Sequence, residues 1–250
     1  MPSQSDPPPI VVTNLCKSFG QKKVLNGISL TVAHGETVAV LGRSGTGKSV
    51  LLKLLIGLEP ADSGVIRILD QEIAGIDTQR LDEIRKKIGF LFQQGALYDS
   101  LTVEENVEFP LARHTELSDS DRKEQARALL ESVGLGQDDF RKMPSEISGG
   151  MQKRVGLARA LALKPEILLC DEPTSGLDPI TAGEVGKLIS KLQRERKMTS
   201  IVVTHDIRGA RAFADRMVVL HEGNILTEGT FEDLQRSDNQ FVTRFLRDAA

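Results

Sequence analysis

The sequence predicts an α/β fold: a core sheet of mostly parallel strands interrupted by an inserted α-helical subdomain. Three observations predict it. Short continuous apolar runs alternate with amphipathic helical stretches, the pattern of parallel strands covered on both faces. A glycine-rich loop of fixed spacing, GRSGTGKS, joins one such run directly to a helix. From about 101 to 163 the pattern is almost wholly helical, and then β/α alternation resumes.

Taken in order, the β runs IVVTNL (10–15), VLNGISLTV (24–32) and ETVAVL (36–41) come first. The last leads through GRSGTGKS into the helical SVLLKLLIGL. VIRIL (65–69), the helix-like TQRLDEIRKK and IGFLF (88–92) follow. In the helical stretch, SDSDRKEQARALLESVGLG offers Ser118 or Asp119 as N-cap, an apolar face at Ala126, Leu129, Leu130 and Val133, and Gly134 near its stop. EILLCDE, the helix AGEVGKLISKLQRERK, the strand SIVVTH, a further helix and RMVVLHEGNILTEG complete the chain. These spans divide it into a tail at 1–9, one domain at 10–240 and a C-terminal tail at 241–250. Within the domain, 10–93 and 164–240 form the core and about 94–163 the helical subdomain.

Composition narrows the classes. Of 250 residues, 40% are hydrophobic and 27% charged, as in a globular domain, and the net charge of −3 has both signs interspersed. That counts against a nucleic-acid partner, whose binding rests on neutralising phosphates. Two cysteines cannot build a disulfide framework, and both Cys16 and Cys170 are expected as small buried residues. MPSQSDPPP has neither the basic nor the apolar region of a signal peptide and is expected to be disordered. SVLLKLLIGL contains Lys53 and is too short to span a bilayer, so a membrane role would come through a partner.

The loop at 42–49 satisfies every fixed position of G-x-x-x-x-G-K-[ST], a chance event of about one in a hundred for a chain of this length. Gly42, Arg43, Ser44, Gly45, Thr46 and Gly47, with Val50 beginning the helix, are the expected nucleotide cradle. Lys48 would meet the β/γ-phosphates and Ser49 a Mg²⁺ ion. Asp171 and Glu172 end a buried strand, where an α/β sheet opens its functional crevice. Asp171 suits a water-mediated hold on the metal and Glu172 the polarisation of an attacking water. His205 ends another strand and suits a γ-phosphate contact. Gln93 could reach metal and water or be an ordinary loop glutamine. Phe19, expected in a loop, could stack on adenine or belong to the core.

PSEISGGMQKR (144–154) sets a second cluster of outward N–H groups at a helix start, with Ser148, Gly149 and Gly150. One nucleotide has one triphosphate, so this site serves another anion or the nucleotide of a second copy, unless it is simply a flexible turn.

From 11 to about 234 the whole set resembles the ATP-binding subunit of ABC transporters. GRSGTGKS corresponds to Walker A, Gln93 to the Q-loop, ISGGM to the signature, ILLCDE to Walker B, SGLD to the D-loop and His205 to the H-loop. The resemblance implies a P-loop NTPase (RecA-like) core, with an N-terminal antiparallel β subdomain and an inserted α-helical subdomain. It implies ATP and Mg²⁺ as cofactors, catalytic roles for Glu172, His205, Gln93 and Lys48, metal contacts from Ser49, Gln93 and Asp171, and the adenine-stacking position for Phe19. It also implies a head-to-tail homodimer sandwiching ATP, with Ser148, Gly149, Gly150 and Asp178 contacting nucleotide in trans. Ile147 and Met151 depart from the usual leucine and glutamine of the signature, and Met151 cannot donate a glutamine's hydrogen bonds.

Three stretches are similar to one branch, the ATPases of MCE-protein-linked (Mla, or toluene-tolerance type) lipid transporters. They are LFQQGALYDSLTVEENVEFPLARHTEL (91–117), MPSEISGGMQKRVGLARALAL (143–163) and DPITAG (178–183). This implies a polytopic permease, a periplasmic MCE-domain protein and a small STAS-domain subunit as partners. The cargo would be phospholipid moving between inner and outer membranes, with this chain at the cytoplasmic face of a bacterial inner membrane. An ATPase for an amino-acid-type importer is the alternative, since it shares the general motifs but fits EFPLARHTEL less well. A soluble ATPase acting on ribosomes or DNA usually carries two cassettes or long coiled-coil insertions. A module that binds ATP without hydrolysing it is countered by the intact Glu172 and His205.

Overall fold

The computed structural model describes residues 6–248. Two sheets carry the fold. The first is antiparallel, in the order β2-β1-β4-β5, from β1 (Ile10–Phe19), β2 (Lys22–Val32), β4 (Ser63–Ile68) and β5 (Gln71–Glu72). The second runs β10-β9-β3-β8-β7-β6, from β3 (Thr37–Leu41), β6 (Ile88–Leu91), β7 (Ile167–Asp171), β8 (Thr199–Thr204), β9 (Arg216–His221) and β10 (Asn224–Gly229). All its neighbours are parallel except β10, which returns antiparallel along β9.

Strands β3, β7 and β8 are buried along their whole length, which is why they read as unbroken apolar runs rather than alternating ones. Successive side chains nevertheless sort to two layers. Val38, Val40, Leu169, Ile201 and Val203 pack with the antiparallel sheet and with Leu51, Leu52 and Leu55 of α1 (Lys48–Leu55). Ala39, Leu41, Leu168, Cys170 and Val202 face the opposite cluster. That side holds α3 (Val103–His114), α4 (Asp119–Ser132), α5 (Gly149–Ala160), α6 (Pro179–Arg196) and α7 (Ile207–Phe213). Helix α2 (Thr78–Lys86) precedes β6, and α8 (Phe231–Gln235) and α9 (Gln240–Asp248) close the described chain.

Polar side chains cap the starts of α3 and α4. Thr102 and Glu105 form a reciprocal capping box on α3, and Ser118 rather than Asp119 caps α4 by accepting from the Asp121 N–H. The buried face of α4 is Ala126, Leu129 and Leu130, with Val133 at its C-cap also buried.

Four expectations differ from the structure. β1 does not stop at 15 but continues through three register shifts to Phe19, which pairs with Lys22 and so lies in a strand rather than a loop. Cys16 is only partly buried, whereas Cys170 is wholly buried. Of the expected disordered tail, residues 1–5 lie outside the described residues. Residues 6–9 are tied down: the Pro9 carbonyl accepts from the Leu69 N–H at 2.8 Å, and the Pro7 carbonyl lies 3.1 Å from His34 Nε2. The segment set apart as a C-terminal tail is α9, whose Val242, Phe245 and Leu246 are buried in the core.

Candidate nucleotide site

Register brings the functional segments together. Leu41 pairs with Thr204, and Asp171 pairs with Val203, so β3, β7 and β8 end at nearly one level. Gly42, Glu172 and His205 each lie just beyond those ends, at the carboxyl edge of the sheet.

The loop from 42 to 49 turns at Gly47, whose φ of +102° an L-residue rarely adopts. A Cβ there would also stand 2.8 Å from Leu25 Cδ2 and 2.9 Å from the Val24 carbonyl, so β2 supports the loop from behind. α1 begins at the next residue, leaving its first N–H groups directed into the turn. Lys48 Nζ donates to the carbonyls of Gly42 at 2.8 Å and Arg43 at 3.2 Å. Thr46 Oγ1 donates to the same Arg43 carbonyl at 2.9 Å. Arg43, Ser44 and Gly45 form the exposed outer part of the loop, and Val50 is half-buried in the first turn of the helix.

Ser49 Oγ donates to Asp171 Oδ1 at 2.8 Å, joining the helix start to the strand end. Burial pushes the Asp171 carboxyl pKa up, with the Ser49 hydrogen bond and Lys48 acting against it. Glu172 spans the site. One carboxylate oxygen lies 3.2 Å from Lys48 Nζ and the other 2.8 Å from His205 Nδ1. The His205 backbone N–H donates to that second oxygen at 3.3 Å. Glu172 sits at φ +46°, in the left-handed region that costs a non-glycine residue roughly 1 kcal/mol or more. Its N–H donates to the Val203 carbonyl at 2.9 Å, so the neighbouring strand fixes that turn.

Lys153 is a site residue that the sequence reading missed. It is buried on α5, and its Nζ donates to the Glu172 carbonyl at 3.4 Å. Burial lowers its pKa, against the opposing pull of Asp171 and Glu172. Its spacing from Gly150 and Leu157 places it on one helical face with them, a face that the structure shows to be buried, an unusual place for a cation.

Other predicted residues occupy the rim. Gln93 follows β6 and donates to Ser175 Oγ at 3.4 Å; Gln93, Gly149, Lys153 and Ser175 line one shallow cavity. Phe19 is 47% exposed, with Lys17 Nζ 5.0 Å from its ring centre. Ser148 and Asp178 are engaged with their own helices: Ser148 Oγ accepts from the Met151 N–H, and Asp178 Oδ1 accepts from those of Ile180 and Thr181. Met151 packs against the apolar cluster of the helical side. The two glycines differ. Gly149 is open, but a Cβ on Gly150 would stand 2.6 Å from Thr181 Cγ2 in α6. Contact within the chain therefore disfavours a larger residue at 150.

A phosphate loop between strand and helix, a hydroxyl on a strand-end aspartate and a glutamate beside a histidine fit the P-loop NTPase fold of the solved ABC cassettes. Residues 25–175 match the family model described as ABC transporter. The chain belongs to the ABC transporter family, whose ATP-binding components are ATPases coupled to transport. It is 44% identical over 237 residues to the probable ribonucleotide transport ATP-binding protein mkl of Mycobacterium tuberculosis, covering 95% of this chain and 66% of that protein. It is 44% identical over 218 residues to the methionine import ATP-binding protein MetN of Rhizobium johnstonii, covering 87% of this chain and 60% of that one. This chain thus spans less than two thirds of the length of those relatives. To the intermembrane phospholipid transport system ATP-binding protein MlaF of Haemophilus influenzae it is 38% identical over 238 residues, covering 95% and 90% respectively. The dimeric structure of MJ0796, a bacterial ABC transporter cassette, superposes with a TM-score of 0.83 at 36% identity, covering 88% of this chain and 98% of that one. Among the described residues no helix is long and apolar enough to cross a membrane.

Proposed function

We propose that this chain is the ATP-hydrolysing component of a transporter that moves phospholipid, or a related lipid, between two membranes through a permease partner. The triphosphate would lie on the loop from 42 to 49, with Lys48 against its β/γ end and adenine on Phe19. Glu172 is the base that draws the proton from the attacking water, and His205 holds that carboxylate in place. Ser49 and Asp171 offer the hard oxygen donors that Mg²⁺ prefers, and a buried carboxylate with a raised pKa is one that a cation would relieve. They would hold the ion, Asp171 through water and Gln93 from across the cavity; bound there, it would offset phosphate charge.

The site is completed by a second copy in a two-fold dimer. Ser148, Gly149, Gly150 and Asp178 of each copy would close over the nucleotide of the other, and the resulting movement would be passed to the permease. The MlaF and MJ0796 likenesses support this assembly.

One observation carries the lipid reading: the likeness to MlaF spans 90% of that protein, against 66% of mkl and 60% of MetN. EFPLARHTEL gives the place where a permease would dock. Its Phe109 and Pro110, on α3, join Tyr98 and Arg159 in lining an exposed aromatic groove beside β6. This groove is the proposed seat of the permease, on the cytoplasmic face of a bacterial inner membrane. The MetN likeness supports a solute importer instead, and the name of mkl, a probable ribonucleotide transport protein, also points to a solute cargo. Mild-detergent purification of the tagged chain from its native membranes, with mass spectrometry of proteins and lipids, separates the two. A permease with an MCE-domain protein, phospholipid and a small STAS-domain subunit is the expected result. A permease with a solute-binding protein would discard the lipid cargo, and ribosomes or DNA-repair factors with no permease would discard transport.

A further inference from the structure

The outer part of the phosphate loop rests on the C-terminal helix. The Arg43 guanidinium lies 5.6 Å from the ring centre of Phe241 on α9. That ring is stacked on His221, the last residue of β9, at 3.6 Å and 23°, and on Phe245 at 5.8 Å and 10°. Phe245 is itself buried, so Phe241 is fixed from two sides before it meets the loop. A second contact points the same way. A Cβ on Gly42 would stand 2.5 Å from the carbonyl of Leu220, so the start of the loop is pressed directly onto the strand end that carries His221.

We infer that α9 belongs to the nucleotide site and that Phe241 is a positioning residue, holding the phosphate loop through Arg43. The link from ring to ligand is short. The Arg43 side chain is held by Phe241, while its carbonyl accepts hydrogen bonds from both Lys48 Nζ and Thr46 Oγ1. Arg43 therefore joins the C-terminal helix to the lysine that meets the triphosphate. Freeing its side chain lets the loop sample arrangements in which that lysine is misplaced, so binding weakens before chemistry does.

This inference rests on the nucleotide reading, and the test separates the two. A fluorescent ATP analogue is titrated with Mg²⁺ into the full chain and into Phe241→Ala, Phe241→Leu, Phe241→Tyr, Arg43→Ala and the Arg43→Ala/Phe241→Leu double variant. Loss of the ring face should weaken binding about two- to fivefold, the worth of an exposed cation–π contact. KM for ATP should rise in step, with kcat changed less. Leucine keeps apolar bulk against Phe245 should alanine not fold, and tyrosine, which keeps the face, should bind like the parent. In the Arg43→Ala background the leucine should add nothing. Unchanged affinity in Phe241→Leu, or an equal loss with and without Arg43, would overturn the inference. Failure of the parent chain to bind would overturn the nucleotide reading instead.

Discussion

Glu172 Oε2 lies 2.8 Å from His205 Nδ1, and the other oxygen of the same carboxylate lies 3.2 Å from Lys48 Nζ. The proposed base is thus held between Lys48 and the residue just beyond the end of β8. Such a group can take a proton without first reorienting. Glu172→Gln keeps the shape and loses the basicity. Turnover should fall about 10²–10⁴-fold, the usual worth of a positioned base, while ATP affinity stays near the parent value. Steady-state ATPase assays and nucleotide titration check this, and gel filtration with ATP should show the variant trapped as a dimer. Unchanged hydrolysis would remove Glu172 from the role.

Burial of Asp171 costs stability at neutral pH. Burial raises its pKa, so the folded chain binds that proton more tightly than the unfolded one. The stability this gives is full below the ordinary value of 3.8 and is lost as pH rises through the higher folded value. At neutral pH the ionised carboxylate therefore costs folding free energy. Asp171→Asn removes the charge but keeps an oxygen to accept from Ser49 Oγ. It should melt above the parent at neutral pH in metal-free buffer, lose that advantage as pH falls toward 3.8, and hydrolyse Mg·ATP far more slowly. A lower melting temperature at neutral pH would show that burial is not what governs this carboxyl.

Phe19 exposes nearly half its surface and contributes little to the core. If adenine stacks there, Phe19→Ala should weaken ATP binding about five- to a hundredfold, the range for a base on an aromatic ring. Its melting temperature should stay close to that of the parent. Equal affinity in parent and variant would move adenine elsewhere.

The legible parts of this protein were those whose signal is local. Strands buried on both faces leave unbroken apolar runs, so β3, β7 and β8 stand out, and Asp171, Glu172 and His205 are conspicuous because each closes such a run. Phe19 was misplaced because the register shifts of β1 put polar residues in an otherwise apolar strand. Lys153 was missed because a cation in a helical period reads as solvated until the opposing surface is known. Phe241 was missed for a related reason: a short amphipathic segment near a chain end carries no motif, and its contact with Arg43 joins distant parts of the sequence.

The paired glycines of the signature turn show how contact within the chain and contact in trans can be told apart. Gly150→Ala would place its methyl 2.6 Å from Thr181 Cγ2, an overpacking worth about 1–3 kcal/mol, and should lower the melting temperature. Thr181→Ser removes that methyl and should restore most of the loss. Gly149→Ala meets only Leu177 Cδ2, at an ordinary 3.6 Å, and should melt like the parent. Its deficit should instead appear in ATP-driven dimerisation and in hydrolysis, because the added methyl lies on the surface proposed to meet the second copy. Full activity in Gly149→Ala would remove this turn from the trans site, and an unshifted melt in Gly150→Ala would overturn the packing argument. The expected pair, one variant unstable and the other stable but inactive, would mean that adjacent glycines answer to two different neighbours.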